Sequence, residues 1–441
     1  MPENRSDRLI APARRLVEEL ARHAPAQLSV RLWNNEVLPL APGAPALPAI
    51  AIATPAAITR LVRRPRLATL IELVAEGAIS IEGGTLLDLA AARGAGGTRG
   101  LLRKLNKRVL LGALAPFLFA RAEGAKGGHA YQGAQAAKDS EGRDNKALVQ
   151  FHYDLSNAFY GLFLDPEMQY SCAYFPTPET DLEGAQQAKL EMICRKLRLM
   201  PGEKFLDIGC GWGGLVCHAA RHHGVVAHGV TLSQAQFDFV QDKIARLGLK
   251  DRVTVELKDY RELTHASGGG TFDKIASIGM FEHVGLDNAP TYFATMRDLL
   301  RPRGLLLNHA ITRPAKQDAR AFRKKRPEYQ AIVDHIFPGS ELDHIGNSVA
   351  SIERAGFEVH DVEAWREHYA RTTRLWCERL HAQREAAEAE VGAAKVRLWL
   401  LYLAGVSLGF QRGTVGIFQT LASKRARGAS GLPPTRADLY R

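Results

Sequence analysis

From Leu182 onward, apolar positions switch repeatedly between a helical period and short continuous runs. The helical patterns Leu182–Leu199, Gly213–His223, Ala235–Leu247 and Thr291–Leu300 alternate with runs at Lys204–Ile208, Val225–Leu232, Val253–Lys258, Phe272–Ile278 and Gly304–Leu307. Runs of this length read as strands, and strands alternating with helices predict a parallel, doubly wound α/β sheet covered on both faces. Ligands in such sheets bind outside the carboxyl ends of the strands. Those ends carry Asp207 to Gly213, Thr231 to Gln236, Asp259 and Tyr260, Gly279 to Gly285, and Asn308 to Ile311.

The first 120 residues follow another pattern. Leu9, Leu16, Val17 and Leu20 share one helical face, with Arg8, Arg14, Arg15 and Arg22 elsewhere on the helix and Pro12 in its first turn, where proline is tolerated. The Pro- and Ala-rich stretch from Pro39 to Pro55 reads as irregular structure or edge strands. Ile71 to Leu73 and Ile79 to Gly84 then read as a helix followed by a strand and a turn. The expectation is a smaller α+β N-terminal domain over residues 1–120. Gly124, Gly127, Gly128, Gly133 and Gly142 give residues 121–146 linker composition. The doubly wound domain is expected over 147–424, followed by a tail over 425–441. The most lipid-like run, Leu398 to Phe410, is broken by glycines and shorter than the roughly 20 residues a membrane helix needs. It reads as a buried terminal helix.

Composition narrows the class. A chain of 441 residues is long enough for two domains, and 46% apolar with 24% charged residues is the content of a soluble globular protein. The net charge of +11 calls for an acidic partner, either nucleic acid or an anionic membrane surface. Five cysteines (Cys172, Cys194, Cys210, Cys217, Cys377), an odd number without a CxxC pair, argue against a disulfide framework or a zinc site and fit a reducing compartment. No apolar h-region follows Met1 to Arg5, so no signal peptide is expected.

The richest chemistry lies at residues 205–214, Phe-Leu-Asp-Ile-Gly-Cys-Gly-Trp-Gly-Gly. Gly209, Gly211 and Gly214 satisfy GxGxxG, the dinucleotide pattern. Asp207 with Gly209, Gly211 and Gly213 equally satisfies an acidic residue followed by GxGxG, the pattern of S-adenosylmethionine (SAM) sites. A nicotinamide site carries Asp or Glu about 20 residues past the first glycine to hold the ribose. Here the next strand ends Gly229-Val230-Thr231-Leu232-Ser233 without one. Asp207 instead suits the ammonium of SAM, and the glycines let the backbone approach it. The balance favours SAM.

Other strand ends add candidates. Asp259 can accept from an adenine amino group or cap the helical turn that follows it. Tyr260 can stack on the ring, and Gln236 can supply polar contacts or be a solvated residue in the first turns of a helix. Glu282 sits in an apolar setting, Ile278 to Phe281 before it and Val284-Gly285 after, where burial needs a partner. His309 follows Leu305 to Leu307 at another strand end, either as a site residue or as a satisfied core histidine. Upstream, eight of the 25 residues from Phe151 to Phe175 are aromatic: Phe151, Tyr153, Phe159, Tyr160, Phe163, Tyr170, Tyr174 and Phe175. They suit core packing, an apolar substrate tunnel or a cation over ring faces. The segment has no Lys or Arg, which argues against a groove for nucleic acid.

The stretches His152-Tyr153-Asp154, Met168 to Tyr174, Leu206 to Gly214, Gly229 to Ser233 with Gln236, Gly279 to Gly285, Ile336 to Gly339, and His368-Tyr369 with Thr372 and Trp376 occur in this order. Together they resemble the cyclopropane-fatty-acyl-phospholipid synthase family from about residue 147 to 420. The first 120 residues correspond only in position, to the lipid-associated domain of longer members. The resemblance implies a Rossmann-like SAM-methyltransferase fold and methylene transfer from SAM to a cis double bond in a phospholipid acyl chain. It implies a SAM site of Tyr170, Ser171, Asp207, Gly209, Gly211, Thr231, Gln236, Asp259 and Tyr260. It also implies a bicarbonate ion as general base, held by Cys172, Glu282, His309, the Ile311 backbone and Tyr369. Two departures stand out. The usual His-Thr-Ile reads His309-Ala310-Ile311, and some members carry a cysteine where this chain has Val406. The expected setting is peripheral, at the cytoplasmic face of the membrane, as a homodimer with no nucleic-acid partner and no metal. The competing expectations are a methyl-branched or methylene product from the same alkene, and a non-catalytic lipid-binding protein on a methyltransferase fold.

Overall fold

The computed structural model describes residues 6–23, 25–93, 101–120, 155–263, 272–324, 326–337 and 339–440. The expected linker, together with Phe151, His152, Tyr153, Asp154 and Pro338, lies outside the described residues. By its internal contacts the chain divides into two units, one of residues 1–131 with Leu380–Gly405, the other of residues 132–379 with Val406–Arg441.

The first unit contains strands β1 (Ser29–Arg31), β2 (Val37–Pro39), β3 (Ala49–Ile52) and β4 (Ile79–Glu82) in the order β2-β1-β3-β4. β1 and β3 are parallel, and the other two pairings are antiparallel. Ala49–Ile52 is therefore an interior strand, in place of the irregular structure or edge strand that its composition suggests. Its prolines stop at Pro48, just before the ladder, so no pairing N–H is lost. Helix Ile10–His23 lays Ala13 and Val17 against Val30, Leu32, Ile58 and Phe117. Of the four leucine and valine positions expected on its buried face, Val17 is buried and Leu9 packs alongside, while Leu16 and Leu20 are half-buried.

The second unit is built on seven strands: β5 (Lys204–Ile208), β6 (Val226–Thr231), β7 (Val253–Leu257), β8 (Phe272–Ile278), β9 (Leu300–Thr312), β10 (Phe357–Ala364) and β11 (Gly416–Lys424). Their order is β10-β11-β9-β8-β5-β6-β7. Every described pairing is parallel except those of β11, which runs antiparallel to both neighbours. β5 shows why its sequence is continuously apolar. Phe205 faces Leu190, Val216, Val240 and Ile244 on one side, and Leu206 faces Phe281, Tyr292, Phe293 and Met296 on the other. The doubly wound α/β fold follows.

Strands β10 and β11 go beyond the sequence pattern. β9 also runs five residues past Leu307, and its far edge needs a partner, which β11 supplies. Helix Ala393–Gln411 is longer than the apolar run within it. Its 19 residues make it long and apolar enough to cross a membrane by length and composition, and 39% of its most apolar window is buried. The chain leaves β5 for β6 and β7 on one side and returns through β8 and β9 on the other, so β5 and β8 flank the topological switch point.

Candidate active site

The glycine turn occupies that switch point. The N–H groups of Gly209 and Cys210 both donate to the Val230 carbonyl at 3.0 Å, which pins the turn to β6. Gly213 has φ +74°, and a Cβ there would stand 2.7 Å from Val240, so this position accepts glycine alone. The turn forms the floor of a cleft enclosing ≈ 940 Å³ of empty space, its solvent mouth included. Tyr170, Ser171, Asp207, Gly209, Gly211, Thr231, Gln236 and Tyr260 all line it, so eight of the nine anticipated SAM residues come together.

Asp259 does not line the cleft. Its carboxylate caps the turn Tyr260–Glu262 through the Arg261 N–H at 2.9 Å and accepts from the Arg261 guanidinium at 2.9 and 2.7 Å. Arg261 thus engages both carboxylate oxygens, two of its bonds ending on Oδ1 and one on Oδ2.

Asp207 is buried, and its Oδ1 has no hydrogen-bond partner. Burial pushes its carboxyl up to about 7, and nearby Lys189 pulls against that shift. A buried carboxylate oxygen awaiting a donor fits an ammonium. Gln236 is buried, and its carbonyl accepts from the Thr231 hydroxyl at 2.7 Å, which turns its amide group away from that bond. Tyr260 is held edge-to-face by Tyr292 at 5.2 Å.

The opposite wall is held by helix Leu182–Leu197. Lys189, fully buried, donates to Gln169 Oε1 at 2.5 Å and Ser171 Oγ at 2.9 Å, and Gln186 donates to the carbonyls of Gln169 and Ser171. Burial lowers the Lys189 ammonium to about 8, against the pull of Asp165, Cys172 and Asp207. Sequence reasoning misses this lysine. Its only signal is position, three residues after Gln186 and on the face that carries Leu190 and Ile193.

The five expected bicarbonate holders lie outside the cleft lining; Cys172, His309 and the Tyr369 backbone contact Trp365, and Glu282 is joined to Ile311. The Cys172 thiol lies 3.3 Å from the Ala173 carbonyl and 3.7 Å from that of Trp365, which also accepts the Tyr369 N–H at 3.0 Å. His309 packs edge-to-face on the Trp365 ring at 5.2 Å. Glu282 Oε1 accepts the Ile311 N–H at 2.5 Å, so this backbone donor positions Glu282. Glu282 Oε2 and His309 Nε2 are buried without partners. Two such orphaned polar atoms fit a small polar guest. Burial raises Glu282 to about 7, pushes the Cys172 thiol well up and pushes His309 well down. At neutral pH the thiol and imidazole are uncharged, and Glu282 can carry a proton.

The aromatic segment divides its labour. Phe159, Tyr160 and Phe163 are wholly buried against one another, which is core packing. Tyr170 lines the cleft and packs on Trp376 at 5.2 Å.

One further group departs from the cysteine reading. Cys194, His218 and His223 bring three potential metal-ligand atoms within 4.8 Å of one another. Both imidazoles are bonded to Glu191 Oε2, at 3.3 and 3.0 Å, which satisfies them within the protein.

The profile of the family described as mycolic acid cyclopropane synthetase matches residues 140–420. The chain is 44% identical over 301 residues to a probable fatty acid methyltransferase of Pseudomonas putida, spanning 68% of this chain and 75% of that one. It is 36% identical over 276 residues to the cyclopropane-fatty-acyl-phospholipid synthase of Escherichia coli, spanning 62% and 66%. A solved cyclopropane synthase from Mycobacterium tuberculosis superposes with a TM-score of 0.60 at 33% identity, covering 65% of this chain and all of that one. A mycolic acid cyclopropane synthase complexed with SAH and CTAB gives the same values.

Proposed function

Because the chain belongs to the mycolic acid cyclopropane synthetase family and is a SAM-dependent methyltransferase, we propose that it converts the cis double bond of a membrane phospholipid acyl chain into a cyclopropane ring. The observation that carries this reading is the pair of unpartnered, buried polar atoms on Glu282 and His309, the first residue bonded to Ile311 of β9, the strand that carries the second.

SAM, when bound, supplies an electrophilic methyl on a sulfonium. An alkene is a weak nucleophile, so the protein must hold the two partners in line in a dry site. Asp207 would pair with the cofactor ammonium, the glycine turn would admit its amino-acid end, and Tyr260 would stand at the cleft wall for its ring. Attack by the alkene forms the new C–C bond, breaks the S–CH3 bond and leaves a cation on the acyl chain. Tyr170, which lines the cleft, would offer a ring face to that cation. Ring closure needs only the loss of a methyl proton, for which bicarbonate, when bound, supplies a weak base. Glu282, its pKa raised by burial, would share a proton with that anion, as paired acids do. Cys172, kept as a thiol by burial, offers no thiolate to trap the cation.

The net charge of +11 supports peripheral attachment to an anionic membrane at its cytoplasmic face. The test is to supply methyl-labelled SAM with vesicles of cis-unsaturated phospholipid or with the same acyl chain as free acid. Label in the phospholipid acyl chains supports the reading. Label confined to the free acid would keep methyl transfer and remove the phospholipid. A methyl-branched product is the second reading, favoured by the name of the Pseudomonas putida relative. It shares the first step and omits ring closure.

A further inference from the structure

The unpartnered Nε2 of His309 has a counterpart on the far side of the ring. β11 pairs with β9 so that Gln419 stands directly opposite His309, and β10 pairs with β11 so that Glu363 stands directly opposite Gln419. Directly opposed residues share a sheet face, so Glu363, Gln419 and His309 form one row across three strands. Lys196, from helix Leu182–Leu197, reaches this row. It is buried, its Nζ stands 5.3 Å over the Trp365 ring, and it is ion-paired with Glu363. The same Nζ donates to Gln419 Oε1 at 2.7 Å, and Gln419 Nε2 lies 3.1 Å from His309 Nδ1.

We propose that Gln419, oriented by Lys196 and Glu363, is a positioning residue that fixes His309 as the Nε2–H tautomer, so that the imidazole offers the anion site a donor and never a lone pair. The logic is one of donors and acceptors. An ammonium only donates, so the amide must turn its oxygen to Lys196. Its nitrogen then faces His309, and an amide nitrogen only donates. Nδ1 must therefore accept. A neutral imidazole carries one proton, which is left on Nε2. The flipped amide would set two donors against each other in a buried site, which the low dielectric penalises. Burial keeps the ring neutral, in agreement.

The consequence rests on the functional reading above. A His309 with a free Nε2 lone pair would itself compete for the methyl proton of the cationic acyl chain. Locked as a donor, it holds an oxygen of the anion and leaves proton acceptance to that anion. The row explains why Gln419 and His309, polar and buried, occupy interior strands of the sheet.

The test uses the full chain without SAM or lipid. Ring nitrogens are read by 15N–1H long-range NMR on histidine-labelled protein, with His309 among the 15 histidines assigned by its loss in His309→Asn. The expected result is a proton on Nε2 and none on Nδ1 throughout the neutral range. Gln419→Glu keeps the Lys196 partner but offers His309 only acceptors, so the proton should move to Nδ1 or a second proton should appear. Its turnover should fall roughly 100-fold, the scale of a misassigned proton partner. The triple variant Lys196→Met, Glu363→Gln and Gln419→Leu removes the row without an orphaned charge and should leave a mixed, pH-sensitive tautomer. A wild-type proton on Nδ1, or Nε2–H retained with Nδ1 still bare in Gln419→Glu, overturns the assignment. A moved proton with unchanged turnover overturns the positioning role. Because the spectra need no substrate, absence of any lipid product from the wild type would strike the functional reading and leave the tautomer standing.

Discussion

Glu282 and Ile311 are joined by a 2.5 Å hydrogen bond, with Glu282 Oε1 accepting the backbone N–H of Ile311. The bond ties the turn after β8 to the end of β9. It fixes one carboxyl oxygen and leaves the other buried without a partner, and Nε2 of His309, two residues before Ile311 on β9, is in the same condition. A buried carboxyl held this way, with its pKa raised to about 7, exchanges a proton readily near neutrality.

Replacing Glu282 by Gln should therefore lower ring closure by about 100-fold, the usual scale for a proton-transfer group. SAM affinity should stay near the wild-type value, because Glu282 does not line the SAM cleft. Turnover and calorimetric titration on the same preparation separate the two quantities. Unchanged turnover would remove Glu282 from the mechanism.

SAM binding should be linked to pH through Asp207. In the unliganded protein its carboxyl, at about 7, is protonated in mildly acidic solution, whereas the ammonium needs it ionised. Affinity should weaken up to about tenfold per pH unit below 7, with about one proton released on binding there and almost none well above 7. Calorimetry in two buffers of different ionisation enthalpy counts the protons. A count of zero at mildly acidic pH would show that Asp207 is not the partner.

The same shift sets a stability difference. A carboxyl with a raised folded pKa stabilises the fold below its unfolded value, near 4, and loses that contribution as pH rises through about 7. Asp207→Asn lacks the titration, so its melting temperature relative to wild type should rise between mildly acidic and mildly alkaline pH. Taking the difference cancels the histidines that titrate in the same window. A pH-independent difference would contradict the buried, ionisable carboxyl.

Two glycines of one turn should respond unequally to alanine. Gly211 has φ +54°, and a Cβ added there would meet no atom within 4 Å, so Gly211→Ala should cost only the backbone term, about 1–2 kcal/mol. Gly213 adds the 2.7 Å approach to Val240, and overpacking raises the cost by about 1–3 kcal/mol. Denaturant unfolding of both variants measures the gap. Equal losses would mean that Val240 yields freely.

Removing the Lys189 ammonium should act on the cofactor through Asp207 and Ser171. Lys189→Met deletes the charge that holds the Asp207 pKa down, so the pH midpoint of SAM binding should move upward. An unmoved midpoint, with the protein folded, would confine Lys189 to packing.

Much of the framework is legible in the chain because burial on both faces writes continuous apolar runs. Lys204–Ile208 and Phe272–Ile278 are bounded as their sequences suggest. β11 is not legible, because Gln419, Thr420 and Ser423 read as loop until their partners are known, yet all three are buried. The glycine turn declares itself through backbone constraints that are local. Lys189, Lys196 and Gln419 do not, since a charged or amide side chain on an element usually faces solvent and only tertiary neighbours show otherwise. Asp259 shows the capping role that its sequence position also allows, with Arg261 bonded to both of its oxygens. The expected anion-holding set comes from four separated stretches, so only the family resemblance drew it together.

The most direct measurement is the identity of the transferred carbon. Purified protein, SAM carrying a 13C methyl and vesicles of cis-unsaturated phospholipid should yield labelled lipid whose protons appear at the high field of a cyclopropane ring. Labelled methyl-branch or methylene signals in place of the ring, or no label in the lipid, would contradict the account.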